Sequence, residues 1–181
     1  DDKTMQETGT RINKYMSQCG YCSRREADRL IEKGEVWING TLATMGTKVM
    51  PGDTVMVHHT TITPCQKEYL LAFHKPAGIV CTTSKIDKNN VIDYLNFPER
   101  IYPVGRLDKE STGLLLLTNN GQLMDDILRG SNYHEKEYIV HVNKPITDSV
   151  LQAMAQGVPI LDTITRPCKI RRMGKDCFYI T

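Results

Sequence analysis

The hydrophobic positions of this chain change rhythm along its length. In "RINKYMSQCG", Ile12, Tyr15 and Met16 recur at helical spacing and Gly20 is a plausible stop. "SRREADRLIEKG" repeats the rhythm with Ala27, Leu30 and Ile31. It opens on a capping box, in which Ser23 accepts from the amide of Glu26 while Glu26 reaches back. "EVWING" then reads as a strand turning at Asn39-Gly40, the strongest short hairpin signal, and "PGDTVMVH" supplies a later strand after its Pro-Gly turn. Two helices and a small sheet are therefore expected over 11–58, behind an N-terminal tail at 1–10.

"HHTTITPCQKE" has no amphipathic rhythm and contains Pro64, so 59–68 reads as a linker. Beyond it the texture is different. "YLLAFHKPAGIVCTT" predicts two short strands broken at Lys75-Pro76, "NVIDYL" a short helix, "GLLLLTNN" a continuous apolar strand and "GQLMDDILRG" a helix ending at Gly130. "EKEYIVHV" alternates as a strand, "TDSVLQAMAQG" is a helix starting near Thr147 or Asp148, and "RPCKIRRMG" with "CFYIT" forms a last strand pair. These elements make a mixed α+β domain over 69–181.

Composition narrows the class. A chain of 181 residues with 40% hydrophobic and 24% charged positions can bury a core in one or two domains. No apolar run approaches the roughly 20 residues of a membrane helix, and "DDKTMQETGT" lacks the basic-then-apolar order of a signal peptide. A cytoplasmic location with no membrane partner is expected. The six cysteines are too dispersed for a secreted disulfide framework and read as reduced. Cys19-x-x-Cys22 has no second close ligand pair, and His58 and His59 read as exposed linker residues, so no metal site is expected.

A net charge of +2 does not by itself mark a nucleic-acid binder, so position has to carry that argument. Residues 11–33 hold six Lys or Arg against three Asp or Glu. Arg24, Arg25 and Arg29 project from the second helix away from its apolar stripe, with Arg11 and Lys14 available from the first. They form either a solvated face or a ledge for phosphates. In "GRLDKESTGLLLLTNNG", Arg106 and Asp108 sit two positions apart and share one side of an extended segment, while Leu107 points to the core. Gly105 and Gly113 bracket the segment, and Leu114 to Leu117 anchor it. A guanidinium so placed would help keep the carboxylate ionised. The arrangement is either an ion pair at a strand end or a mounted catalytic carboxylate. Asp108 and Glu110 are too close along one chain to flank a sugar as glycosidase carboxylates.

"CSRREADRLIEKGEVWING" resembles the S4-like RNA-binding domain over about 11–58. "KPAGIVCTT", "YPVGRLDKESTGLLLLTNNG" and "HEKEYIVHV" behind it resemble the RsuA-type RNA pseudouridine synthases, and the likeness runs from Arg11 to Thr181. The resemblance implies an α+β fold, with a small RNA-binding domain followed by a mixed, mostly antiparallel-sheet catalytic domain. It implies isomerisation of a specific uridine to pseudouridine in ribosomal RNA, most naturally that of the large subunit, without cofactor. Asp108 becomes the catalytic aspartate, Arg106 its neighbouring arginine, Tyr138 the aromatic that stacks on the target uracil and Ile180 an apolar active-site position. Arg11, Lys14, Ser23, Arg24, Arg25 and Arg29 become RNA-binding residues. The implied partner is a structured stem-loop carrying the target uridine, within free ribosomal RNA or a pre-ribosomal particle, met by a monomer. The family continues past "CFYIT" into a Gly-x-x-Arg-Gln-Ile-Arg-Arg-Met segment that this chain does not reach, so a portion of a longer protein is expected. "KIRRM" at 169–173 mimics that segment but precedes the strand, and Arg171 and Arg172 receive no catalytic role. The rival is a non-catalytic RNA-binding or ribosome-assembly factor on the same frame.

Overall fold

A computed structural model describes residues 9–181. The tail expected at 1–10 falls mostly on residues 1–8, which lie outside the described residues. Thr10–Arg11 form a short strand, β1, that leads directly into α1, Ile12–Gln18. A turn carries the chain into α2, Arg24–Glu32. Ser23 caps α2, its Oγ accepting the Glu26 amide at 3.1 Å. The reciprocal half of the expected capping box is absent among the described residues: the Glu26 carboxylate does not return to the Ser23 amide but lies 3.3 Å from Arg29, its i+3 neighbour on the helix surface. The strands β2 (Val36–Ile38), β3 (Thr41–Leu42), β4 (Lys48–Val49) and β5 (Val55–Val57) follow. Asn39 and Gly40 both take positive φ, 49° and 79°, as a two-residue hairpin requires.

The expected linker begins with structure. Thr60–Ile62 form β6, paired antiparallel with β5, and His58 and His59 make the tight turn between them at φ 47° and 64°. Three residues are too few to show alternation, yet Ile62 is buried and closes the sheet β3-β2-β5-β6. β1 pairs with β4 separately. Ile12, Met16, Ala27, Leu30 and Ile31 from the helices meet Val36, Val55 and Val57 from the sheet in one core.

A second core forms beyond residue 68 around Val91, Ile101, Leu115 and Leu117. β7 is Leu70–Lys75. The second strand expected after Pro76 is absent from the described residues; Val80 makes only a bridge to Asn90, its amide donating to the Asn89 carbonyl at 2.8 Å. Asn90 caps α3 (Val91–Leu95). β8 (Tyr102–Val104) and β9 (Gly113–Thr118) complete an antiparallel sheet of order β7-β9-β8, and Asn120 caps α4 (Gly121–Leu128).

The chain divides into two compact units at Arg129–Gly130, inside the span expected as one catalytic domain. The cut falls there because α4 packs on β8 and β9, so it belongs with what precedes it. The unit Gly130–Thr181 carries β10 (Tyr138–His141), α5 (Asp148–Ala155), β11 (Pro159–Ile160), β12 (Thr163–Ile164), β13 (Ile170–Arg172) and β14 (Cys177–Ile180). Its sheet has the order β10-β14-β13 and is antiparallel throughout. Arg172 ties the sheet to α5: its guanidinium donates to Asp148 Oδ1 at 2.8 and 2.9 Å and to the Ile146 carbonyl at 2.6 Å. No helix among the described residues is long and apolar enough to cross a membrane.

Candidate active site

Asp108 stands on the connection between β8 and β9, residues 105–112. This stretch is loop rather than the extended segment expected; Arg106 and Asp108 are exposed and Leu107 packs against the second core. Gly105 enters the loop at φ 82° and Gly113 leaves it at φ 143°, values that a side chain would strain. The loop is fastened at several points. The Leu107 amide donates to the Cys81 sulfur at 3.4 Å, the Gly78 amide to the Lys109 carbonyl at 2.7 Å, and the Ser111 amide to the Asp108 carbonyl at 3.0 Å.

The strongest fastening was not visible in the sequence. Lys75, the last residue of β7, is wholly buried. Its ammonium spends its three donors on three carbonyls, those of Pro76 at 2.7 Å, Ser111 at 2.8 Å and Lys109 at 2.9 Å. Two of these flank Glu110, just past Asp108, so the backbone that carries the carboxylate is clamped to the sheet. A lysine is almost never buried without such partners. The signal in the sequence is slight: a lysine that follows Leu70 to His74 at the end of a mostly apolar strand, beside a proline.

Arg106 and Asp108 are both exposed, yet no ion pair within 4.0 Å joins them among the described residues, so the expected support of the carboxylate by this guanidinium has no contact behind it. Tyr138 and Ile180 fall on the other unit. They are directly opposed in the β10–β14 ladder, and Ile170 of β13 opposes Ile180 in turn, so the three share one row of the sheet. Tyr138 is 43% exposed, which separates it from an ordinary core aromatic.

The basic candidates divide. Lys14, Ser23 and Arg24 line a cleft of about 980 Å³ that also reaches Arg100, Tyr102 and Arg106. Arg25 and Arg29 do not line it, and Arg29 is matched by Glu26. Ser23 is spent on its cap, and Arg11 is held in β1. Cys19 and Cys22 pack against the first core as free thiols, and burial pushes both up to about 11, so they are protonated and unreactive near neutral pH.

A small helix-and-sheet module followed by an antiparallel sheet is the architecture that the comparisons with known proteins recognise. The model of the RNA pseudouridylate synthase family matches residues 69–168 and that of the S4 domain residues 10–55, and the chain belongs to that synthase family. It is 50% identical over 177 residues to the dual-specificity RNA pseudouridine synthase RluF of Escherichia coli O6:H1, covering 97% of this chain and 61% of that protein. It is 32% identical over 170 residues to ribosomal large subunit pseudouridine synthase B of Bacillus subtilis, covering 92% of this chain and 69% of the other. A crystal structure of a pseudouridylate synthase superposes with a TM-score of 0.62 at 25% identity, over 94% of this chain and 76% of its own. The chain thus spans about 61% of the length of its Escherichia coli relative.

Proposed function

We propose that this chain forms the RNA-binding part and most of the catalytic part of an enzyme that isomerises a uridine of large-subunit ribosomal RNA to pseudouridine, without a cofactor. Residues 11–58 bind the RNA and residues from 69 onward carry the chemistry. The observation that supports this most is the exposed Asp108 carboxylate on a loop whose backbone is fixed by the buried Lys75, in a chain of the pseudouridylate synthase family.

In the proposed reaction the bond between ring nitrogen 1 and the ribose breaks, the uracil turns, and carbon 5 joins the ribose while its proton is lost and nitrogen 1 gains one. Atoms balance, so no co-reactant is needed. The base must first leave its stack, and the exposed ring of Tyr138, beside Ile180 in the ladder, offers it a platform. Asp108 acts at the ribose–uracil junction as nucleophile or base, roles that both require an ionised carboxylate on a rigid mount.

The test is Asp108→Asn in the complete protein, which keeps the shape of the side chain and removes its charge. The variant is expected to melt at the same temperature, bind transcribed ribosomal RNA with similar affinity and make no pseudouridine by carbodiimide labelling and reverse transcription. Normal turnover by the folded variant would overturn the assignment.

A further inference from the structure

We propose that the cleft between the α1–α2 pair and β8 is a channel for the RNA backbone leading to the target base, with Arg100 as a phosphate ligand at its centre and Tyr102 as the ring that positions this guanidinium. The inference rests on the proposed action on RNA and adds a route and two residues to it.

Charge is the first argument. The cleft is lined by five cations, Lys14, Arg24, Lys67, Arg100 and Arg106, against two carboxylates, Glu68 and Asp125. The lining therefore carries a local surplus of three positive charges. A concave surface with a net positive lining draws a polyanion.

The second argument is what surrounds Arg100. Two arginines show the alternative: Arg29 is matched by Glu26, and Arg172 by Asp148 and three carbonyls. Arg100 is half-buried, yet no carboxylate lies within ion-pair distance of it among the described residues. Its Cβ side meets the α1–α2 turn at Gly20, and its guanidinium lies 5.1 Å from the Tyr102 ring centroid. An aromatic face holds a guanidinium without using its edge donors, which stay available for a phosphate. Loss of water on burial lowers the pKa of Arg100 and raises that of Tyr102, as expected where the cleft floor is drier than its rim. Arg24, which lines the same cleft, also lies close enough to act on the Tyr102 phenol.

The third is direction. The lining takes in Lys14 of α1 and Arg24 of α2 together with Gly105 and Arg106, two residues short of Asp108. A strand laid along it passes from the basic helices to the fixed carboxylate.

The experiment measures binding of the complete protein to transcribed ribosomal RNA between about 50 and 200 mM salt. Arg100→Gln is expected to weaken binding about five- to tenfold and to lower the log-log salt slope by roughly 0.7–0.9, the share of one phosphate. Arg24→Gln, on an exposed side chain of the same cleft, is expected to lower the slope equally and keeps the test decisive if the Arg100 variant fails to melt cooperatively. Lys144→Gln, an exposed side chain outside both the cleft and residues 11–58, should change neither. Unchanged slopes for folded variants of an enzyme that still makes pseudouridine would remove the channel and leave the proposed function intact. Lowered slopes in a protein whose wild type converts no uridine would keep the channel and remove the catalysis. Should polyglutamate, and not RNA, respond to the substitutions, the cleft receives an acidic protein segment and the proposal falls.

Discussion

Lys75 and Asp108 illustrate opposite kinds of visibility. Asp108 stood out only through its resemblance to a motif, since an Arg-x-Asp at the end of an extended segment is otherwise an ordinary surface pair. Lys75 did not stand out at all, because a lysine in a sequence is read as solvent-facing and its burial depends on three carbonyls, two of them more than thirty positions away. Replacing Lys75 by Met keeps length and removes all three donors. We expect the loss to cost roughly 2–4 kcal/mol, as for acceptors left without partners, and the surviving folded fraction to turn over more slowly because the Asp108 loop is freed. Urea titration with single-turnover assays on one preparation checks both; unchanged turnover at full folding would show that the clamp serves stability alone. Tyr138 gives a second test. If it works by stacking, Phe retains most activity and Ala loses about 1–3 kcal/mol of base-holding energy, read as a rise in KM or a fall in kcat.

Among the elements, α2 was legible in its Ser23 cap and in its stripe at Ala27, Leu30 and Ile31, though not in the Glu26–Arg29 pair that takes the place of the box's second half. β8 was not, since Pro103 argues against a strand; it is tolerated because β8 lies at the edge of its sheet. β1, β4 and β6 escaped because two or three residues carry no periodicity, and their pairing is decided by partners far along the chain. The α2 cap also separates two readings of Ser23. If its hydroxyl is spent on the Glu26 amide, Ser23→Ala should lower stability by about 1 kcal/mol and leave the salt slope of RNA binding unchanged. The β2–β3 hairpin makes a pH prediction. Asp53 accepts from the Met50 amide and the Asn39 amide group, both at 2.8 Å, and these bonds hold its carboxyl below its ordinary value of 3.8. A depressed carboxyl stabilises the fold above its unfolded pKa and ceases to do so as pH falls through the folded one. The melting-temperature gap between wild type and Asp53→Asn should therefore be present at neutral pH and close below 3.8; a gap that persists in acid would place the effect elsewhere.

For the whole molecule, the segment between the two cores is held rather than loose. The Cys65 amide donates to the Gln18 carbonyl at 3.1 Å, while Asn119 donates to the Lys67 carbonyl at 2.8 Å and accepts the Tyr69 amide at 2.9 Å. Asn119→Ala should expose Lys67 to trypsin several-fold faster than in the wild type, followed by gel, and equal cleavage rates would mean the segment is held by other contacts. The Lys75 clamp has a further consequence, for length. It fixes the count of residues between β8 and β9, since one residue added between Leu107 and Ser111 would carry a carbonyl off the ammonium or turn Asp108 inward. The tip of the β11–β12 hairpin, where Leu161 is 98% exposed, has no such partner and can lengthen freely. Descendants of this sequence should therefore vary in length at that tip and keep the Asp108 loop at a constant size.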